Sequence, residues 1–286
     1  MNYLEIPAHA KINISLDVLR KREDGYHELR MIMQTLELHD IVCLEAAGDG
    51  IGLECGSKWV PEDFTNTAWK AADLMKSRFG IKDGLRIRIV KRIPVAAGLA
   101  GGSSDAAAVL RGMNEMFELG LGHDELRKLG REIGADVPYC IEGGTRLAEG
   151  IGEILTELPS FDGVDVVLVK PDIGVSTQWV YKNLRLNGIT EKDRPDTELL
   201  IEALKQRDIK AVAGNMKNIL ELVTIGRYDI VRKAKRLMAG SGAAGSMMSG
   251  SGPTVFGLFM DTGAAEAAYR TLSSIAGWQC IKTRTN

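Results

Sequence analysis

The sequence predicts an α+β fold in two modest domains, and three observations predict it. Period-two strands crowd the opening third, amphipathic helices follow them directly, and a second mixture of strands and helices begins past a glycine-rich stretch at Gly143–Gly152. A chain of 286 residues can bury a core in each domain. The boundary is expected near residue 155, giving domains 1–155 and 156–286.

The first strand is read from Ala10, Ile12, Ile14, Leu16 and Val18, which alternate with Lys11, Asn13, Ser15 and Asp17. That pattern predicts a half-buried strand with one wholly polar face. Two more strands are expected at Leu29–Leu38 and Ile41–Glu45, and Leu85, Ile87 and Ile89 alternate with Arg86 and Arg88 in another. Ala68, Ala72, Met75 and Phe79 recur at helical spacing before the stop Gly80, and Ala106, Val109, Leu110, Met113 and Phe117 repeat the pattern. A third helix, Asp124–Ile133, turns Leu126, Leu129 and Ile133 inward and ends at Gly134.

In the second half the apolar run Val164–Val169 predicts a buried strand, with helices at Thr177–Leu184 and Thr197–Arg207. Tyr228–Met238 predicts a basic amphipathic helix whose Lys and Arg residues are solvated. Pro253–Met260 is expected as a strand, Ala264–Ile275 as a helix and Trp278–Thr283 as a closing strand.

Composition removes several classes of function. Thirty-six basic residues nearly balance 38 acidic ones, without the Lys/Arg runs that track a phosphate backbone, so nucleic acid is not an expected partner. Cys43, Cys55, Cys140 and Cys280 are far apart and lack His partners at metal-ligand spacing, which predicts neither a disulfide framework nor a zinc site. No apolar stretch is long enough to span a bilayer, and Met1–Glu5 does not open like a signal peptide, so a cytoplasmic protein with no membrane partner is expected. The sequence does not fix the oligomeric state.

The segment Pro94-Val95-Ala96-Ala97-Gly98-Leu99-Ala100-Gly101-Gly102-Ser103-Ser104 joins a predicted strand to a predicted helix and holds almost nothing bulky. Small residues let backbone amides approach a ligand, and the unpaired amides of a helix start attract phosphate oxygens. Ser103 and Ser104 offer hydroxyls as well. The loop is not a P-loop, which needs Gly-Lys-Ser/Thr, and it lacks the Rossmann spacing. A serine-capped flexible turn is the plainer account.

Four other places invite a role, each beside a simpler alternative. Lys11 and Asn13 share the polar side of the first strand, where solvation alone would explain them. Asp24-Gly25 predicts a hairpin turn that sets Tyr26 and His27 near a loop tip, suited to a planar ligand or to ordinary packing. Asp136, between Gly134 and Pro138, either caps a short helix or serves a substrate hydroxyl. Ser249-Gly250-Ser251-Gly252-Pro253 either brings backbone close to a ligand or is a tight turn.

Taken together the loop resembles the middle motif of the superfamily of galactokinase, homoserine kinase, mevalonate kinase and phosphomevalonate kinase. Ala10-Lys11-Ile12-Asn13, Asp24-Gly25-Tyr26-His27-Glu28-Leu29, Gly134-Ala135-Asp136-Val137-Pro138 and Ser249-Gly250-Ser251-Gly252 resemble, in order, the branch acting on a cytidyl-linked methylerythritol in the non-mevalonate isoprenoid pathway. The resemblance implies a two-domain small-molecule kinase fold with a cleft between the domains and a left-handed crossover in the first. It further implies ATP-dependent phosphorylation of the substrate's 2-hydroxyl, with Mg²⁺. Lys11 and Asp136 would be the catalytic pair, the loop Pro94–Ser104 would hold ATP with Asn66 and Lys91 near its adenine, and Asn13, Tyr26, His27 and Tyr181 would bind the cytidyl substrate. Where relatives often carry Gly this chain has Ala96, Ala97 and Ala100, and Asp105 sets a negative charge near the phosphates. A sibling kinase of homoserine or a mevalonate derivative would share the loop without needing a base-reading Tyr-His pair, and a non-catalytic nucleotide sensor could share the fold.

Overall fold

A computed structural model describes residues 2–286. The described residues form two compact units, each assembled from several stretches: residues 2–10, 38–95 and 100–143 in one, and 11–37, 96–99 and 144–286 in the other. This differs from the single boundary expected near residue 155. The reason lies in two long strands, β1 (Tyr3–Lys21) and β2 (His27–Ala47), which contribute their outer parts to the first unit and their hairpin ends to the second.

In the first unit β1 and β2 are joined by β3 (Ile51–Glu54), α1 (Thr67–Phe79), β4 (Gly84–Val90), α2 (Gly101–Met116), α3 (His123–Ile133) and the short α4 (Val137–Glu142). β4 lies between β2, antiparallel from Ile41↔Val90 to Ala47↔Gly84, and the parallel β3. Alternate β4 residues Leu85, Ile87 and Ile89 are buried against Ala68, Ala72 and Met75 of α1 and Ala106–Leu110 of α2, as the two periodicities require. Gly112 lets α2 lie close to the strands, because a methyl there would come within 2.5 Å of the Leu44 side chain.

The two strands expected at Leu29–Leu38 and Ile41–Glu45 are one strand of 21 residues. Asp40 breaks the apolar pattern but not the strand. Its buried carboxylate accepts from the amides of Arg92 at 2.5 Å and Ile93 at 2.8 Å and pairs with Lys91, so strand geometry strands no charge there.

In the second unit β5 (Thr145–Gly150) pairs with the first half of β2, and β6 (Ile154–Glu157) pairs with β5. The glycines at 143, 144, 150 and 152 therefore bound a strand within the glycine-rich stretch. β7 (Asp165–Pro171) carries the expected apolar run, followed by α5 (Thr177–Asn183), α6 (Thr197–Lys205) and α7 (Ile209–Asn215). β8 (Lys217–Asn218) adds a parallel pairing to β1, and α8 (Glu221–Arg227), α9 (Asp229–Gly240), β9 (Gly245–Met248), β10 (Val255–Phe259), α10 (Thr262–Ser273) and β11 (Trp278–Arg284) complete the unit. The last strands form an antiparallel sheet in the order β11-β7-β10-β9.

The polar face expected on β1 is not solvated. Lys11, Asn13, Ser15 and Asp17 are as buried as the apolar residues between them. Each is satisfied from within: the Ser15 hydroxyl accepts from the Ile32 amide at 3.1 Å, and Asp17 pairs with Arg194 at 2.5 Å. The strand is buried on both sides, and its polar row is an interior feature.

Candidate active site

The candidate residues divide between the units. In the second, the Lys11 ammonium, 4% exposed, donates to Asn13 Oδ1 at 2.7 Å, and Asn13 Nδ2 points to Met31 Sδ at 3.3 Å. A lysine held this far from water is not the solvated residue the strand pattern allowed. Two-residue spacing on one strand puts both side chains on the same face, and the hydrogen bond orients the amide.

The same unit holds Ala96–Leu99 of the glycine-rich loop. Leu99 accepts the Lys11 amide on its carbonyl at 3.1 Å, which ties this half of the loop to the start of the polar row. Gly98 has φ +76, and a methyl there would lie 2.4 Å from the Ser249 carbonyl oxygen. Ser249 in turn donates its hydroxyl to the Gly98 carbonyl at 2.9 Å. The second small-residue loop, 249–253, thus backs the first and comes close to Asn13: a methyl on Gly250 would lie 3.7 Å from Asn13 Oδ1. Asn218, which sequence reading passed over, fixes that backing loop by donating to the carbonyls of Met248 and Gly250, both at 2.8 Å. A lone Asn between two short elements carries no pattern that would have exposed it.

Gly98→Ala should cost about 2 kcal/mol or more, since left-handed backbone penalises a side chain and this one meets backbone rather than a movable group. Denaturant unfolding measures it, and an unchanged midpoint would mean that the loop follows another path.

The hairpin turn forms as expected: the Arg22 amide donates to the Tyr26 carbonyl at 2.8 Å, Gly25 has φ +87, and Asp24 accepts the Tyr26 amide. Tyr26 is 59% exposed, whereas the His27 ring lies against Tyr181 of α5, with centroids 5.0 Å apart and planes at 33°. Burial, with help from Lys21, pushes the His27 imidazole below its usual range, so the ring is neutral at neutral pH and has one donor and one acceptor nitrogen.

In the first unit the other half of the loop opens α2. Ala100 stands before the helix at φ 59 with no side-chain cap, which leaves the Gly101, Gly102 and Ser103 amides as the unpaired donors of a 16-residue helix. Ser104 is already committed. Its amide bonds the Ala100 carbonyl at 2.9 Å and its buried hydroxyl donates to the His9 carbonyl at 2.7 Å, so of the two expected hydroxyl donors Ser103 is the one not used in this way. Pro94 and Val95 lead into the loop from Ile93. Ala96, φ 51, and Ala100 carry in left-handed backbone the strain that Gly would relieve at those positions.

The two residues suggested beside the adenine also have structural work. Asn66 caps α1, accepting from the Ala68 amide and donating to the Pro61 carbonyl, each at 2.8 Å. Lys91 is held between Asp40 at 2.5 Å and Asp105 at 2.8 Å. Thr67, beside Asn66, donates to the Gly102 carbonyl at 2.7 Å and links the start of α1 to the loop. Asp136 precedes α4, half-buried, and its side chain makes no capping bond to that helix. Asp136 thus occupies the N-cap position of α4, its carbonyl accepting the Cys140 amide at 3.1 Å, without its carboxylate capping the helix.

The amide-lined helix start and the small-residue loop fit a triphosphate. Mg²⁺ keeps several waters and takes few protein ligands when it travels on phosphates. Among the described residues no group of three or more His, Cys, Asp or Glu could hold a metal ion.

Residues 66–144 match the family described as GHMP kinases N terminal domain, and residues 200–276 match GHMP kinases C terminal. The chain belongs to the GHMP kinases, an α+β family of two-domain kinases. It is 56% identical over 285 residues to a 4-diphosphocytidyl-2-C-methyl-D-erythritol kinase of Acetivibrio thermocellus, covering 100% of both chains. It is 53% identical over 269 residues to the kinase of the same name from Clostridium botulinum strain Eklund 17B, covering 94% of this chain and 95% of the other. A crystal structure of 4-(cytidine 5'-diphospho)-2C-methyl-D-erythritol kinase superposes with a TM-score of 0.84 at 32% identity over 99% of each chain. A kinase of this family uses ATP on a small-molecule substrate. No helix among the described residues is long and apolar enough to cross a membrane.

Proposed function

We propose that the protein transfers the terminal phosphoryl group of ATP to the 2-hydroxyl of 4-diphosphocytidyl-2-C-methyl-D-erythritol, in the cytoplasm, in the non-mevalonate route to isoprenoid precursors. The observation that carries the substrate assignment is the His27–Tyr181 ring pair, built from residues far apart in sequence and suited to a flat heterocycle. Its support is the full-length likeness to relatives of that name. A kinase of homoserine or mevalonate has no base to receive there.

Phosphoryl transfer needs positioning and charge neutralisation more than covalent chemistry. The amides of Gly101, Gly102 and Ser103 receive phosphate oxygens, and Ala96–Leu99 line the loop with backbone. Mg²⁺, when bound, supplies further neutralisation of phosphate charge. The Lys11 ammonium stabilises negative charge as it develops on the substrate oxygen, and Asn13, oriented by Lys11, positions the hydroxyl. Asp136 orients that hydroxyl and accepts its proton late in the transfer. Neutral His27 reads the cytosine edge, with Tyr181 along its face and Tyr26 at the turn closing over it.

His27→Ala should raise KM for the cytidyl substrate by about tenfold, the size expected for a lost hydrogen bond to a buried partner, and leave kcat nearly unchanged. An unaltered KM would remove His27 from base recognition. The whole reading is tested by incubating the purified protein with ATP and the cytidyl substrate and locating the new phosphate. Transfer to another position, or to homoserine or mevalonate in preference, would overturn it.

A further inference from the structure

Under the glycine-rich loop, within the first unit, lies a set of charges that the transfer reaction does not use. Asp40 on β2 takes the amides of Arg92 and Ile93 on one carboxylate oxygen and the Lys91 ammonium on the other, at 2.5 Å. Lys91 also reaches Asp105 on α2 at 2.8 Å. Arg92 and Ile93 are the stem that enters the loop and α2 is the stem that leaves it, so the three side chains join both stems. The ammonium lies directly below the loop: a methyl added to Gly101 would lie 3.2 Å from Lys91 Nζ.

The charges do not balance. One cation meets two carboxylates, both almost wholly buried, and the surplus negative charge would sit beneath amides that must receive phosphates. Asp40 accepts from three donors. Asp105 has one donor, and its other oxygen, Oδ1, is buried with no hydrogen-bond partner.

We propose that Asp40, Lys91 and Asp105 are positioning residues that staple the two stems of the phosphate loop, and that a proton on the Asp105 carboxyl keeps the base of the loop free of net negative charge. The proposal rests on the loop holding the nucleotide's phosphates. Burial, opposed by Lys91 and aided by Asp40, pushes the Asp105 carboxyl up to about 7, which agrees with a retained proton near neutral pH.

Other titratable groups around Asp105 are few. The Cys55 thiol, past β3, feels both Lys91 and Asp105 and is itself pushed up by burial. On the strand side, His9 and His39 stack on each other at 5.1 Å. Of the charged groups on α1, Lys70, Asp73 and Arg78 are exposed and Lys76 bonds backbone carbonyls at 82 and 83. Glu142 of α4 pairs with Arg127 and His123 of α3.

The test compares the full-length protein with Asp105→Asn, which keeps the shape and the bond to Lys91's neighbourhood but cannot lose a proton. Binding of Mg-ADP and of a non-hydrolysable ATP analogue is measured calorimetrically from about pH 6 to about pH 8.5. Because the nucleotide titrates in part of this range, the readout is the ratio of dissociation constants between the two proteins. Wild-type affinity is expected to weaken by about 5- to 10-fold relative to the variant as pH rises, the size expected for one partly screened charge near the phosphates. A constant ratio would overturn the proposal, and no nucleotide binding by wild type at any pH would instead overturn the assignment of the loop. Thermal unfolding gives a second measure. The Asp105 carboxyl is raised from an ordinary value of 3.8, so the native state holds a proton that the unfolded chain has lost, and its stabilising effect disappears as pH rises toward and through about 7. The wild-type Tm should therefore fall relative to the variant's between about pH 5 and pH 8, and parallel curves would count against the proton.

Discussion

Replacing Asp136 with Asn should lower kcat by about 10²-fold or more while KM for either substrate changes far less. Asn has the same shape and still accepts a hydrogen bond, so the substrate hydroxyl remains oriented. What is lost is a group able to take the proton when the oxygen–phosphorus bond forms. The side chain is half-buried and makes no capping bond to the helix it precedes. A fold defect is separated from a chemical one by measuring the unfolding midpoint of the same variant beside its kcat. Lys11→Ala should reduce kcat to a similar extent, with an added stability cost because a buried stem is removed. Lys11→Met restores the packing and should recover stability without recovering turnover. If Asp136→Asn turned over at a near-normal rate, proton acceptance would have to be assigned elsewhere.

The largest expected effect on stability is that of Lys91→Met, at about 3–5 kcal/mol, the range measured when one partner of a buried ion pair is removed. Two buried carboxylates would lose their common cation, and Asp40, at 0% exposed, has no route to water. The cost is a large fraction of the stability of a typical domain. The double variant Lys91→Met/Asp105→Asn should lose about as much near neutral pH, because an Asp105 that already holds a proton adds no uncompensated charge and Asp40 alone is left without its cation, and chemical denaturation of both proteins checks this. A clearly milder loss in the double variant would mean that Asp105 is charged in the native protein. Unlike the Asp136 variant, Lys91→Met should also weaken ATP binding, because the stems that present the loop's amides are no longer joined.

Much of the fold was legible because periodicity reports the faces of an element. The alternation at Leu85–Ile89, the helical spacing at Ala68–Phe79 and Ala106–Phe117, and the apolar run at Val164–Val169 all correspond to strands and helices of the expected type. The omissions have physical causes. α7 and α8 have seven residues each and bury only one or two side chains, too few for a helical period to stand out, and β5 lies within glycines that mark its ends rather than a loop. Asp40 looked like the end of a strand because a sequence does not reveal that three donors from residues more than fifty positions away will meet its carboxylate.

The candidate site was legible in the same partial way. Motifs selected Lys11, Asn13, His27, Asp136 and the loop. Asn66, Lys91 and Ser104 gave no sign in sequence of the structural bonds they also make, to Ala68 and Pro61, to Asp40 and Asp105, and to His9.

By itself, the order of residues determined which segments become strand or helix, where backbone can approach phosphate, and which kinase family the motifs belong to. Local sterics and side-chain size act over a few neighbours, so a linear string records them fully. Only the tertiary structure decided that the polar row of β1 is buried, that Tyr181 rather than Tyr26 lies against His27, and that Lys91 serves two acids. Burial and pairing depend on what arrives from distant parts of the chain, and no local pattern contains that information.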